Sequence, residues 1–190
     1  MKKFTILSIF IISILSCSFV NAQKVKMFGS KGVWELGGTI YYSNTTTISD
    51  GNNGGHYNIF QFQPTAGYFI HKGIELGVQP AINISNQSSN TITTMGLYFA
   101  PAYNFILKGK VYPAIVALVG YTSQTSSAAN SVSLGGFSWG LQGLVKINLL
   151  GNSLLLAGFQ YVQTTFNPSG AANRSGENIL TLGAGWNVFF

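Results

Sequence analysis

The last residues of the chain alternate in character. Leu180, Leu182, Ala184, Trp186, Val188 and Phe190 are apolar, while Thr181, Gly183, Gly185 and Asn187 between them are small or polar and uncharged. Successive side chains of a strand point to opposite faces, so this segment predicts a strand with one bulky apolar face and one small polar face. The same period of two recurs through the chain and predicts eight strands, over 33–43, 58–70, 74–85, 91–106, 111–122, 133–148, 154–164 and 178–190. Most reach the roughly 9 to 11 residues a tilted strand needs to cross hydrocarbon.

The apolar face can be followed from strand to strand. It runs through Trp34, Leu36, Ile40 and Tyr42, then Phe60, Phe62, Ala66, Tyr68 and Ile70, then Ile74, Leu76, Val78, Ile82 and Ile84. It continues in Leu97, Phe99, Tyr103 and Phe105, in Phe137, Trp139, Leu141, Val145 and Ile147, and in Leu155, Ala157, Phe159 and Tyr161. The strand over 111–122 is apolar on both faces; Ile115, Val119 and Tyr121 are assigned outward because Gly120 is too small to cover lipid. Aromatic residues gather at both ends of this face, where amphipathic rings sit at the headgroup level of a bilayer. The pattern predicts an all-β protein, an eight-stranded antiparallel transmembrane β-barrel spanning 33–190. It must close, because each unpaired backbone group in hydrocarbon costs several kcal/mol.

Connections alternate in length. Those at 71–73, 107–110 and 149–153 are short, whereas Ser43 to Tyr57 and Gln163 to Glu177 are longer and rich in Asn, Ser, Thr and Gly. Short periplasmic turns and long outer loops are the asymmetry of bacterial outer-membrane barrels, and an even strand count then places both termini in the periplasm. Pro64, Pro80 and Pro101 fall inside predicted strands. Proline has no ladder donor, so bulges or missing ladder bonds are expected there.

The amino end fits this location. Lys2 and Lys3 precede an apolar run from Phe4 to Leu15 and a small-residue site, Val20-Asn21-Ala22, which reads as a signal peptide over 1–22 cleaved before Gln23. Residues 23–32 would then form a short periplasmic segment. Ile14-Leu15-Ser16-Cys17 also resembles a lipobox, which would move cleavage to Cys17 and acylate it. Cleavage after Ala22 removes the sole cysteine and leaves 168 of the 190 residues, with no thiol or disulfide chemistry. The charged fraction is 7%, against about 25% for soluble domains, which argues against a water-facing outer wall.

Net charge is +6, or +4 without Lys2 and Lys3, and its distribution is one-sided. Lys24, Lys26, Lys31, Lys72, Lys108 and Lys110 fall at the periplasmic end, while the outer loops hold little beyond Asp50, His56, Arg174 and Glu177. A solvated rim is the favoured reading of that end, with attraction to anionic headgroups or a periplasmic partner as the other. The inward phase carries Gln61, Gln63, Gln79, Asn83, Gln142, Gln160 and Asn187, and its charges are Glu35, Glu75 and Lys146. Two convergent acids invite a proton-relay reading. An interior salt bridge plugging the barrel is favoured, because eight strands leave an interior barely wide enough for side chains.

Other chemistry is sparse. His56 and His71 are predicted at opposite ends of the barrel, so no shared metal site is expected. His56 with Asp50 is the nearest approach to the constellation of a lipid-modifying enzyme, and it lacks a companion serine at suggestive spacing. No basic stripe interleaves with exposed aromatics, so nucleic acid is not an expected partner.

The chain resembles the outer membrane protein β-barrel domain family, the small opacity-protein-like and OmpX-like barrels. The resemblance is carried by Pro64-Thr65-Ala66-Gly67-Tyr68-Phe69-Ile70 turning into Ile74-Glu75-Leu76-Gly77-Val78, by Tyr112-Pro113, and by Gly140-Leu141-Gln142-Gly143-Leu144-Val145-Lys146. Leu154 to Tyr161 and the final aromatic complete it. It implies a barrel recognised by the insertion machinery through its last strand, here Trp186, Val188 and Phe190, and a porin-like label without implied catalysis. Family members often place an inward carboxylate on the seventh strand; this chain has Leu156. The expected protein is a monomeric barrel of a Gram-negative outer membrane, without cofactors, meeting outer-membrane lipids, the insertion machinery and an extracellular ligand. Its expected role is structural or surface interaction through the outer loops. A narrow porin-like channel and a lipid-modifying enzyme are the alternatives.

Overall fold

The computed structural model describes residues 27–49, 52–87, 90–127, 133–166 and 175–190. The expected signal peptide, Cys17, Lys24, Lys26, Asp50 and Arg174 lie outside them. The chain forms β1 (Trp34–Ser49), β2 (Asn52–His71), β3 (Ile74–Gln87), β4 (Asn90–Phe99), β5 (Ala102–Asn104), β6 (Val111–Ser126), β7 (Leu134–Leu150), β8 (Ser153–Phe166) and β9 (Ser175–Phe189). Every neighbouring pair is antiparallel, and the sheet closes between β9 and β1 from Glu35↔Phe189 to Tyr42↔Leu182. Trp34 and Phe190 finish the seam by exchanging N–H···O=C bonds of 2.9 and 3.0 Å.

The nine segments make eight staves, because β4 and β5 share one. Val78↔Phe99 and Glu75↔Ala102 keep one register against β3, and Phe99↔Val119 and Ala102↔Val116 keep one against β6. The continuous strand expected over 91–106 is therefore broken at Ala100-Pro101 and ends at Asn104. The physical reason is the proline, which has no N–H to give β6. Its carbonyl still accepts from Ala117 N at 2.9 Å, and Ala100 N donates to Gly77 O at 2.8 Å, so no residue is inserted.

Pro64 and Pro80 act as a pair. The β2–β3 ladder passes from Phe62↔Ile82 to Ala66↔Val78, which sets the two prolines opposite each other with no ladder pairing between. Phe69 N donates to Val33 O, so odd-numbered β2 amides turn toward β1 and even-numbered positions, including Pro64, turn toward β3. The prolines thus occupy both halves of one bonding pair. Two bonds are missing, yet no N–H is stranded in hydrocarbon. Pairing runs through both residues on their other sides, at Gly38↔Pro64 and Pro80↔Leu97.

The outer ends are more regular than expected. Most of 43–57, read as a loop, continues the β1–β2 hairpin to Ser49 and Asn52, and β8 and β9 likewise enter 163–177. Thr45, Thr46, Ile48, Tyr57, Thr164, Thr165 and Phe166 suit a pleated surface, and the strands below them are already held together. His56 is consequently a β2 residue opposite Thr46 and not a loop residue. Around the wall the exposed large side chains form one belt, from Trp34, Ile40 and Tyr42 through Leu97 and Phe99 to Leu180, Leu182 and Trp186. On β6 the exposed large side chains are Val111, Ile115, Val119 and Tyr121, while Ala114, Val116 and Leu118 are buried.

Candidate functional site: a closed lumen

The interior is built in layers, each from inward positions of several strands. At the short-turn end, residues 27–33 fold back into the mouth of the barrel. Gly29 and Gly32 have φ of 76° and 83°, a conformation few other residues adopt, and they let the segment turn twice. Gly73 N donates to Gly29 O at 2.9 Å and Gly32 N to Phe69 O at 2.8 Å, tying the turn to β2 and to the β2–β3 connection. Phe28 is thereby set against Phe69, Tyr112 and Phe189, with ring centroids 5.3, 4.8 and 5.4 Å away. This aromatic group stoppers the mouth.

Directly above it, three strands bring Glu35 (β1), Glu75 (β3) and Lys146 (β7) together. Lys146 Nζ lies 2.8 Å from both Glu35 carboxylate oxygens and 3.3 Å from Glu75 Oε2. Exposure is 0% for the Glu35 side chain and 3% for that of Lys146, so water does not screen the group. Asn104 Nδ2 donates to Glu75 Oε2 at 3.0 Å, and Asn187 Nδ2 donates to Glu35 Oε1. The Lys146 ammonium also lies 5.4 Å from the Phe28 ring centroid, within cation–π range. The cluster holds both acids to one cation across the barrel.

The next layer is a chain of amides. Gln61 Nε2 donates to Gln160 Oε1 at 2.9 Å, Gln160 Nε2 to Gln63 Oε1 at 3.0 Å, and Gln63 Nε2 to Gln79 Oε1 at 2.7 Å. Gln79 Nε2 reaches Gln142 Oε1 at 3.5 Å, and Gln142 Nε2 donates to the Tyr41 hydroxyl. Above this, hydroxyls link Tyr98 to Thr122 (3.1 Å), Thr122 to Ser138 (2.6 Å) and Ser138 to Thr164 (2.8 Å). Two of the spaces between layers, one lined by Gln61, Tyr98 and Thr164 and one by Glu75, Gln79 and Lys146, hold about 10 Å³ each. Each has room for about one water. Buried polar groups are stable only when their partners are supplied; here the opposite wall supplies most of them, while Asn83 Oδ1, Asn104 Oδ1, Thr181 Oγ1 and Asn187 Oδ1 are buried without a hydrogen-bond partner among the described residues.

The inward aromatics were not singled out in the sequence, although a signal exists. Tyr41-Tyr42, Tyr68-Phe69 and Phe189-Phe190 are adjacent aromatic pairs, and a period of two must send one member of each inside. Tyr41, Phe69 and Phe189 are those members. Of the final-strand residues, Trp186 and Phe190 are exposed on the wall and Val188 is half-buried. His71 is exposed at the end of β2, and Asp50 and the side chain of His56 lie outside the described residues. Among the described residues, no three His, Cys, Asp or Glu side chains are placed to hold a metal ion.

No protein-family model matches the chain, and no curated protein matches it. Solved structures do. Neisserial surface protein A, NspA, aligns at a TM-score of 0.63 and 16% identity, over 85% of this chain and 99% of that one. The fold is that of the outer-membrane β-barrels. Outer membrane protein W of E. coli aligns at 0.53 and 14% identity, covering 85% and 100% of the two chains. Ail, the attachment invasion locus protein of Yersinia pestis, solved with the heparin analogue sucrose octasulfate, aligns at 0.52 and 14%, covering 84% and 99%. At such identities the likeness is one of fold. The apolar belt fits an integral outer-membrane location, and the short turns then mark the periplasmic end of the barrel.

Proposed function

We propose that this outer-membrane barrel is non-catalytic and works at the cell surface, presenting its outer hairpins to an extracellular partner while its lumen stays shut. The observation that carries the reading is the stacked interior, where the Lys146 cluster and the glutamine chain are bonded from wall to wall across the lumen. A solute path would require the Phe28 stopper, the Lys146 cluster and the glutamine layer all to move. The narrow-channel reading has no such observation in its favour.

The wall itself extends toward the outside. On β1 the apolar belt ends at Tyr42, and Ser43–Ser49 continues the strand. Seven residues at about 3.3 Å each, tilted by about 40°, raise this hairpin roughly 18 Å above the belt. Its sequence and those of the other outer segments are rich in Asn, Ser, Thr and Tyr, with Asp50, Arg174 and Glu177 as the charged residues. That composition favours a neutral polar partner, met by hydrogen bonds, over a sulfated one of the kind that Ail's structure contains. The end of β9, Trp186 to Phe190, is in turn our proposed contact for the insertion machinery, since its exposed ring and strand edge are accessible before closure.

Planar-bilayer recording on the purified barrel tests the first half: no stepwise conductance is expected, and steady ohmic steps would overturn it. A neutral-glycan array probed with the intact protein tests the second. Binding should be lost when 45–56 is replaced by a two-residue Asn-Gly turn in a variant that still folds; binding that survives this change refutes the role of the hairpin.

A further inference from the structure

The periplasmic rim is divided into sectors that the sequence does not reveal. Lys31 lies in the N-terminal turn, Lys72 in the β2–β3 connection, and Lys108 and Lys110 between β5 and β6; all four are exposed. Backbone bonds draw these segments together. Gly73 N donates to Gly29 O, Gly32 N to Phe69 O at 2.8 Å, and Asn104 N to Gly73 O at 2.7 Å. The lysines therefore share one side of the rim, over β2 to β6. The adjoining β7–β8 turn, tied to Lys110 O through Asn148 N at 2.7 Å, carries Leu149, Leu150, Gly151 and Asn152, with Leu150 81% exposed and no charge.

Among the described residues the lysines have no acidic partner, because Glu35 and Glu75 are both turned inward onto Lys146. His71, also exposed, neighbours Lys72. Just toward the membrane from the lysines lie exposed Ile70, Ile74, Tyr103, Phe105, Leu107 and Val111, the lower edge of the belt. Side chains at that edge place their apolar stems along lipid and their ammonium groups at the phosphate level. A soluble rim would have both signs of charge interspersed. Here one sign is concentrated on one sector, at one depth.

We propose that Lys31, Lys72, Lys108 and Lys110 form a seat for anionic phospholipid headgroups of the periplasmic leaflet, while the Leu149-Leu150 turn dips into the same leaflet. The proposal rests on the membrane placement of the barrel and is independent of its surface role. One lysine near an anionic membrane surface is worth about a fivefold preference at low salt.

The test uses the mature barrel reconstituted in phosphatidylcholine vesicles with trace spin-labelled phosphatidylglycerol or spin-labelled phosphatidylcholine. Electron spin resonance then reads the protein-contacting fraction of each. At low salt the glycerol lipid should be favoured about fivefold. In 1 M salt, where the screening length is about 3 Å, the ratio should fall toward one. The triple variant Lys72→Gln, Lys108→Gln, Lys110→Gln should lose most of the preference at low salt, with folding confirmed by heat-modifiable gel mobility. If that variant does not fold, the salt series on the wild-type barrel decides. A wild-type ratio near one overturns the proposal and points to a soluble periplasmic partner or a solvated rim. A preference insensitive to salt, or retained in the folded variant, overturns it as well.

Discussion

Replacing Lys146 by methionine isolates the energetics of the lumen. The ammonium lies 2.8 Å from Glu35 and 3.3 Å from Glu75. At an effective dielectric near 20, a unit pair at those separations attracts by about 5 to 6 kcal/mol. Burying three charged groups consumes much of that, so the pair itself is a weak stabiliser. The asymmetry lies in what remains when one partner goes. The Lys146→Met change would leave two carboxylates with no cation, one of them wholly buried, and breaking a buried pair in this way costs about 3 to 5 kcal/mol. The loss of the ammonium over Phe28 adds to this, because the ring then stoppers the mouth without its cation. Reversible urea unfolding in lipid vesicles, followed by tryptophan fluorescence and heat-modifiable mobility, gives the difference directly. The triple variant Lys146→Met, Glu35→Gln, Glu75→Gln removes all three charges and should recover at least half of the loss. A single Lys146→Met cost below about 1 kcal/mol, or a triple variant less stable than the single one, would refute the claim that uncompensated buried charge is the dominant effect.

Other outcomes follow from the same structure. Leu97→Arg, on the exposed belt, should cost roughly 2 to 4 kcal/mol or block insertion, whereas Leu150→Arg at the periplasmic turn should cost at most about 1 kcal/mol; equal effects in vesicle unfolding would contradict the membrane placement. Gln79→Arg, on the lumen face, should cost about 1 to 3 kcal/mol in the same assay by overpacking, because Gln79 is bonded to Gln63 and Gln142 within a packed layer. Phe28→Ala removes the centre of the aromatic stopper and should cost about 3 kcal/mol, with bilayer recordings still silent because the glutamine layer remains. Gly120→Ala drives a methyl carbon into the Leu97 carbonyl oxygen of the neighbouring strand; the overpacking should cost about 1 to 3 kcal/mol in urea unfolding.

The fold was legible because the wall has two solvents. A strand with lipid outside and packed polar side chains inside must alternate, and the final strand displays that alternation over Leu180 to Phe190. The same rule carried the charges Glu35, Glu75 and Lys146 inward, although their sequence separation gave no distance between them. Sequence pattern misleads where that contrast fades. Residues 43–57 lose the alternation and are rich in Asn, Ser, Thr and Gly, so their composition imitates a loop while β1 and β2 go on pairing. The break at Pro101 was foreseeable as a lost donor, but that Pro64 and Pro80 occupy one bonding pair depends on the register between two strands.

Taken alone, the order of residues determined the strands, their outward faces, the closure and the cationic end, because each follows from local period and the cost of an unpaired backbone in hydrocarbon. Only the tertiary structure decided what fills the lumen. Lys146 meets Glu35 and Glu75 from 111 and 71 residues away, and Phe28 comes to rest beneath them by a turn through Gly29 and Gly32. Contacts across the barrel depend on stagger and on the shape of facing side chains, quantities set when the cylinder closes and absent from any single strand.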